Sequence, residues 1–159
     1  MADPILWRPT EKYKTTSSMY KFLAYISEKY HLADNDYQTI HTWSINNIAT
    51  FWAEIWDWCG IIHSVPYDEV VDDPFKMPGA TWFSGARLNF AENLLRRKDD
   101  HTALIFRGED TVKRELTYAE LYDDVRRVAA GLKKLGVKKN DKVAAFMPNM
   151  PETVIGMLA

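Results

Sequence analysis

At 159 residues, with 47% hydrophobic and 26% charged residues, the chain has the composition of a globular protein and not of a disordered segment. Its formal net charge of -2 excludes the strong basic field that gathers nucleic acid or an anionic membrane, so small molecules and proteins are the expected partners. The single cysteine, Cys59, excludes an internal disulfide and any multi-cysteine metal cage, and it fits a reducing, cytoplasmic setting.

Met1 to Pro4 has neither the basic nor the apolar region of a secretory signal, and no apolar run approaches the roughly 18 to 20 residues of a membrane span. A soluble protein is expected. Residues 2–16 carry Pro4 and Pro9 around Trp7, which predicts an extended arm without helix, its indole anchored on a neighbouring surface. From Met19 the apolar positions Met19, Phe22, Leu23, Ile26 and Tyr30 repeat with helical period, with Ser17 or Ser18 as N-cap. Residues 34–43 fit a short helix through Tyr37, Ile40 and Trp43, although Thr39, Ile40 and Thr42 also suit extended chain; helix is the reading. Asn46 and Asn47 then cap a helix whose stripe of Phe51, Trp52, Ile55, Trp56 and Cys59 stops at Gly60. That stripe is read as core rather than as a partner-binding face, with both indoles buried.

The acidic cluster Asp68, Glu69, Asp72 and Asp73 lacks the spacing and turn glycine of a calcium loop, and residues 61–78 are expected to form a solvated loop. Pro78-Gly79 and Gly85 mark turns, and Asn89 with Glu92 reads as a variant capping box opening a helix over Phe90 to Arg97. Arg96, Arg97 and Lys98 then suit the negative end of its dipole.

Beyond His101 the period changes. Thr102 to Phe106 and Thr111 to Leu116 predict a hairpin around the turn at 107–110. Thr117 and Glu120 form a capping box for a helix carrying Leu121, Val125, Val128, Ala129, Leu132 and Leu135, closed by Gly136. Lys142 to Met147 is expected to be a buried strand, and Pro151 at the first helical position starts a last helix with Val154, Ile155 and Leu158 as its apolar face. A sheet with so few strands leaves its faces uncovered, so the chain is expected to be the N-terminal portion of a larger α/β protein.

The catalytic signatures a sequence can display are missing. The seven glycines are scattered singly, with no phosphate loop of the Walker or dinucleotide type, and Ser84-Gly85 is not a nucleophile elbow. His31, His41, His63 and His101 do not pair at zinc-protease spacing.

Four pieces in order, Ala103-Leu104-Ile105-Phe106, Leu116-Thr117-Tyr118-Ala119-Glu120-Leu121, Gly136-Val137-Lys138-Lys139-Asn140-Asp141-Lys142-Val143-Ala144 and Met147-Pro148-Asn149-Met150-Pro151-Glu152, resemble the start of the adenylate-forming acyl-CoA synthetases. The stretch Met77 to Arg96, with Trp82-Phe83-Ser84-Gly85-Ala86-Arg87-Leu88-Asn89, is similar to the acetoacetyl-CoA synthetase branch; Trp7-Arg8-Pro9, Trp43-Ser44 and Phe51-Trp52 agree.

The resemblance implies a helical N-terminal extension over residues 1–100 and the incomplete start of an AMP-binding domain over 101–159. It implies a two-step ligase that joins acetoacetate to CoA through an acyl-adenylate, using ATP and Mg, with acetate or another short acyl chain as the alternative substrate. No residue matches a family catalytic position, so the chain alone is expected to be inactive, its natural partner being the remainder of its own adenylation domain. The other reading is a free-standing interaction or regulatory module derived from the extension, with Trp52, Trp56 and the face of Val154, Ile155 and Leu158 as contact surfaces. The one candidate cofactor-binding residue is Arg87. Its guanidinium either reaches an anionic group of CoA or nucleotide, or ties the turn to a carboxylate or to backbone carbonyls.

Overall fold

In the computed structural model, residues 6–109 and 111–159 are described; Pro4, and Asp110 in the hairpin turn, fall outside them. The chain forms two compact units. The first comprises residues 1–61 and 65–87, the second residues 62–64 and 88–159.

The first unit is built on helices. The arm is not wholly extended: α1 (Glu11–Thr16) begins at Thr10, whose side-chain oxygen accepts from the N–H of Tyr13. The prolines stop at Pro9, so the first-turn amides that follow are free to be capped, and Thr10 supplies the cap. Ser17 caps α2 (Ser18–Lys29) in the same way. Asp36 caps α3 (Tyr37–Asn46), which settles the segment compatible with either conformation in favour of helix.

α4 (Ile48–Trp58) follows, but Asn47 makes no side-chain cap; its amide donates instead to the carbonyl of Trp43. Phe22, Ile26 and Ile40 form the buried centre of α2, α3 and α4, with Leu23, Trp43, Phe51 and Ile55 packed around them. Trp56 is buried against Phe83 and Tyr67, at ring separations of 4.7 and 5.3 Å. Trp52, expected in the core, is 41% exposed and meets Trp82 edge to face. A helical stripe wider than the groove it faces leaves its margin in solvent.

The segment read as a solvated loop contains β1 (Glu69–Val71), paired antiparallel with β2 (Trp82–Ser84) in the register Glu69↔Ser84 and Val71↔Trp82. Asp72 closes this ribbon, its Oδ1 accepting from the N–H of Thr81 while its own N–H donates to the Thr81 carbonyl. The acidic cluster therefore includes hydrogen-bonding turn chemistry, which the charge count did not convey.

The second unit starts with α5 (Phe90–Leu94), capped by Asn89 as expected but ending three residues before Arg97. β3 (Thr102–Arg107) and β4 (Lys113–Thr117) form the predicted hairpin, with Leu104 opposite Leu116 and Phe106 opposite Arg114. α6 (Tyr118–Lys134) opens on the reciprocal Thr117–Glu120 capping box. α7 (Pro151–Leu158) carries Pro151 at its start. Leu95, Leu116, Leu121, Val125, Ile155 and Leu158 make one buried cluster, each contributing about 1.5–3 kcal/mol of burial. Ile155 and Leu158 are thus covered within their own unit instead of forming an open contact face.

Residues 142–147 are not a strand. Val143 and Phe146 are exposed, and among the described residues no strand lies beside them. Extended apolar chain becomes a strand only when a neighbour accepts its ladder hydrogen bonds.

Candidate functional site

The stretch from Trp82 to Arg96 runs through β2, a tight turn, the division between the two units at Arg87/Leu88, and α5. The turn requires glycine at position 85. Gly85 has φ +80°, and a Cβ there would stand 2.1 Å from Asp68 Oδ2. The same Asp68 donates its backbone N–H to the carbonyl of Ser84 at 2.8 Å, which draws the two segments together. Past the turn, Arg87 and Val65 form an isolated antiparallel bridge, with N–H to carbonyl distances of 3.0 and 3.3 Å. Arg87 is exposed, and its main chain is fixed by this bridge.

In the second unit Asn93 continues the theme. Its Oδ1 accepts from the N–H of Ile62 and its Nδ2 donates to the Ile62 carbonyl, both at 2.8 Å, so one side-chain amide imitates a strand neighbour for one residue. Its Nδ2 also donates to the carbonyl of Asn89. Beside this clasp lies an open groove of about 530 Å³, floored by Leu95, Val125 and Leu158 and edged by Arg96, Lys98 and Tyr122. Lys98 Nζ stands 4.0 Å from the centre of the Tyr122 ring, and the cation is thereby already engaged with the aromatic face.

A second polar centre, which the sequence did not signal, sits in the first unit. Glu54 faces inward from α4 and is buried. Its Oε2 accepts from Tyr25 Oη at 2.6 Å and from Lys29 Nζ at 2.9 Å. Its Oε1 accepts from Tyr30 Oη at 2.6 Å and from Lys29 Nζ at 2.7 Å. Lys29 also donates to Tyr25 Oη at 2.8 Å.

Burial alone would raise the Glu54 carboxyl, but the donors Lys29, Tyr25 and Tyr30 outweigh it and hold the group below the usual carboxylate value. Burial first, then the bond to Glu54, pushes Tyr30 up to about 12. Lys29 is raised by its hydrogen bonds to Glu54 and Tyr25. A carboxylate with both oxygens doubly engaged has no lone pair directed at a substrate, so this centre ties α2 to α4 and is not an acid–base site.

Among the described residues no three His, Cys, Asp or Glu side chains converge as a metal-ligand set, and no helix is long and apolar enough to cross a membrane. Several other close ion pairs lie at the surface. Arg114 meets Glu152 at 2.5 Å, joining β4 to the start of α7, and Arg126 and Arg127 meet Asp123 and Asp124 along α6. The geometry around Gly85, Asn93 and Glu54 is that of positioning elements.

Comparison with known proteins assigns these elements. Residues 37–94 match the family model of the acetyl-coenzyme A synthetase N-terminus, and residues 90–159 match that of the AMP-binding enzymes. The two overlap on residues 90–94, the span of α5. The chain is 41% identical over 158 residues to an acetoacetyl-coenzyme A synthetase of Rhizobium meliloti, covering 99% of this chain and 24% of that protein. It is 40% identical over 164 residues to the malonamoyl-CoA synthetase vrtB of Penicillium aethiopicum, covering 99% of this chain and 22% of the other.

Among solved structures, the acetoacetyl-CoA synthetase from Streptomyces lividans superposes with a TM-score of 0.83 at 35% identity, over 98% of this chain and 25% of that one. The chain spans about a quarter of the length of the relatives it matches. In sequence and in fold it corresponds along its whole length to the N-terminal part of the acetoacetyl-CoA synthetases, where an acetyl-coenzyme A synthetase N-terminus is joined to the beginning of an AMP-binding enzyme.

Proposed function

We propose that the chain is the N-terminal part of an acid–thiol ligase acting on acetoacetate in the cytoplasm. In that reading a carboxylate oxygen of acetoacetate attacks the α-phosphorus of ATP with loss of pyrophosphate, and the CoA thiol then displaces AMP from the acyl-adenylate. When bound to the complete enzyme, ATP would supply the adenylyl group and Mg would offset the charge on its phosphates. These 159 residues contribute the scaffold: a helical extension through residue 100, and the first hairpin and helices of the adenylation domain from residue 101. The rest of that domain is their partner.

The observation that carries the reading is the match at 41% identity over 158 residues to an acetoacetyl-coenzyme A synthetase, beside the two family segments that follow one another along this chain. The match at 40% to a malonamoyl-CoA synthetase supports a second reading, in which the acyl group differs while the chemistry is the same. Acid-dependent exchange of pyrophosphate into ATP by the protein encoded by the complete reading frame tests both. Exchange with acetoacetate supports the first, exchange with malonamate but not acetoacetate the second, and exchange with acetate alone excludes both. Residues 1–159 alone are expected to give none.

Arg87 belongs to the same reading as a residue that either contacts an anionic group of CoA or nucleotide or holds the turn. In the complete enzyme, Arg87→Ala that raises the KM for CoA or ATP with unchanged Tm supports contact, and a lowered Tm alone supports the turn.

A further inference from the structure

Residues 142–147, Lys-Val-Ala-Ala-Phe-Met, lie outside every helix and strand, and among the described residues no backbone hydrogen bond reaches them. From Val143 onward the segment is apolar, yet Val143 is 63% exposed and Phe146 is fully exposed. A ring of this kind has about 150–250 Å² to remove from water. We propose that residues 142–147 become a strand in the complete protein, laddered to a strand from its remaining part, which also covers Phe146; this rests on reading the chain as the N-terminal part of a longer ligase.

The residue pattern specifies the kind of strand. Alternation puts Val143, Ala145 and Met147 on one face and Ala144 and Phe146 on the other, so both faces are apolar. Runs apolar on both faces belong inside sheets that are covered on both sides. Pro148, which has no N–H, ends the ladder at Met147. One face already has the beginning of a cover, since Met147 lines an open groove of about 520 Å³ with Val128, Ile155 and Gly156 of α6 and α7. The apolar stripe of α6 passes from buried at Leu121 and Val125 to exposed at Val128 and Leu135, so this helix extends past what its own unit covers. Phe146, on the opposite face, stands in solvent.

The rest of the same protein is the occupant these observations favour. The match to the AMP-binding enzymes runs through the segment, and the chain spans about a quarter of the length of its relatives, which leaves chain enough to supply both a strand and a cover. A second copy pairing through the same segment satisfies one edge of the ladder and leaves the Phe146 face as bare as before. A tethered segment also has an effective concentration that no free peptide matches.

The test is hydrogen–deuterium exchange on the unmodified protein encoded by the complete reading frame, without nucleotide or acid. The amides of Val143 to Phe146 are expected to exchange about a hundredfold or more slower than in the unfolded chain. Exchange at the unfolded rate overturns the proposal. Protection that disappears on dilution assigns the edge to a second copy and overturns it too. Phe146→p-benzoylphenylalanine, a photoreactive side chain, then identifies the cover: crosslinks to residues beyond 159 are expected, and crosslinks confined to residues 1–159 overturn the proposal. These readouts separate the strand from the ligase reading. Acetoacetate-dependent pyrophosphate exchange with unprotected amides keeps the ligase and removes the strand, whereas protected amides with no acid-dependent exchange keep the strand and remove the ligase.

Discussion

The Nζ of Lys29 on α2 lies 2.7 Å from one oxygen and 2.9 Å from the other oxygen of the Glu54 carboxylate on α4. With Tyr25 and Tyr30 completing the shell, the pair ties α2 to a buried carboxylate, and three pH and stability expectations come from it.

Glu54→Gln replaces an acceptor oxygen by an NH2 that opposes Lys29 or a tyrosine hydroxyl. Leaving buried donors unmatched costs about 1–3 kcal/mol, read as a lowered chemical-denaturation midpoint at unchanged slope. The folded Glu54 carboxyl titrates below its unfolded value, so its contribution is present above about pH 4.3 and is lost as the pH falls through the depressed folded value. The wild type therefore loses stability on acidification more steeply than Glu54→Gln.

Tyr30 gives the opposite window. Its hydroxyl is pushed up to about 12, so the stability it adds is complete below the unfolded value of about 10 and is lost as the pH rises towards 12. Tyr30→Phe removes that alkaline slope, measurable as the difference between the two proteins in midpoint from pH 9 to 11.5.

At the turn, Gly85→Ala meets two penalties, a φ of +80° and the Asp68 carboxylate at 2.1 Å from the new Cβ. The backbone part alone costs about 1–2 kcal/mol. Asp68→Ala in the same chain removes the contact but not the φ, so the double variant is expected to recover only part of the lost Tm.

Thr117→Ala removes the N-cap oxygen of α6, which accepts from the N–H of Glu120 at 3.2 Å. The expected cost is about 0.5–2 kcal/mol, and Thr117→Ser restores most of it. Amide exchange at Glu120, faster in the alanine variant, distinguishes a lost cap from a general loss of packing.

Local rules were read correctly where one residue type does one job. Ser17, Asn89, Thr117, Pro151 and the helical periodicity of α2, α4 and α6 all placed their elements. The failures have a common physical origin in partners distant along the chain. Nothing local marks Glu54 as buried, since its donors lie 24 to 29 residues away. Val143 to Phe146 has strand composition, yet no strand lies beside it among the described residues. Asp72 looked like a solvated charge because the amide it accepts from, Thr81, is nine residues further on. The functional reading came from the ordered motifs of residues 77–96 and 103–152 and not from any side-chain constellation.

The most direct test of the account is acetoacetate-dependent exchange of labelled pyrophosphate into ATP, measured side by side on residues 1–159 and on the protein encoded by the complete reading frame. The account predicts exchange by the complete protein and none by residues 1–159 under the same conditions. Exchange by residues 1–159 alone, or none by the complete protein with acetoacetate or malonamate, would contradict it.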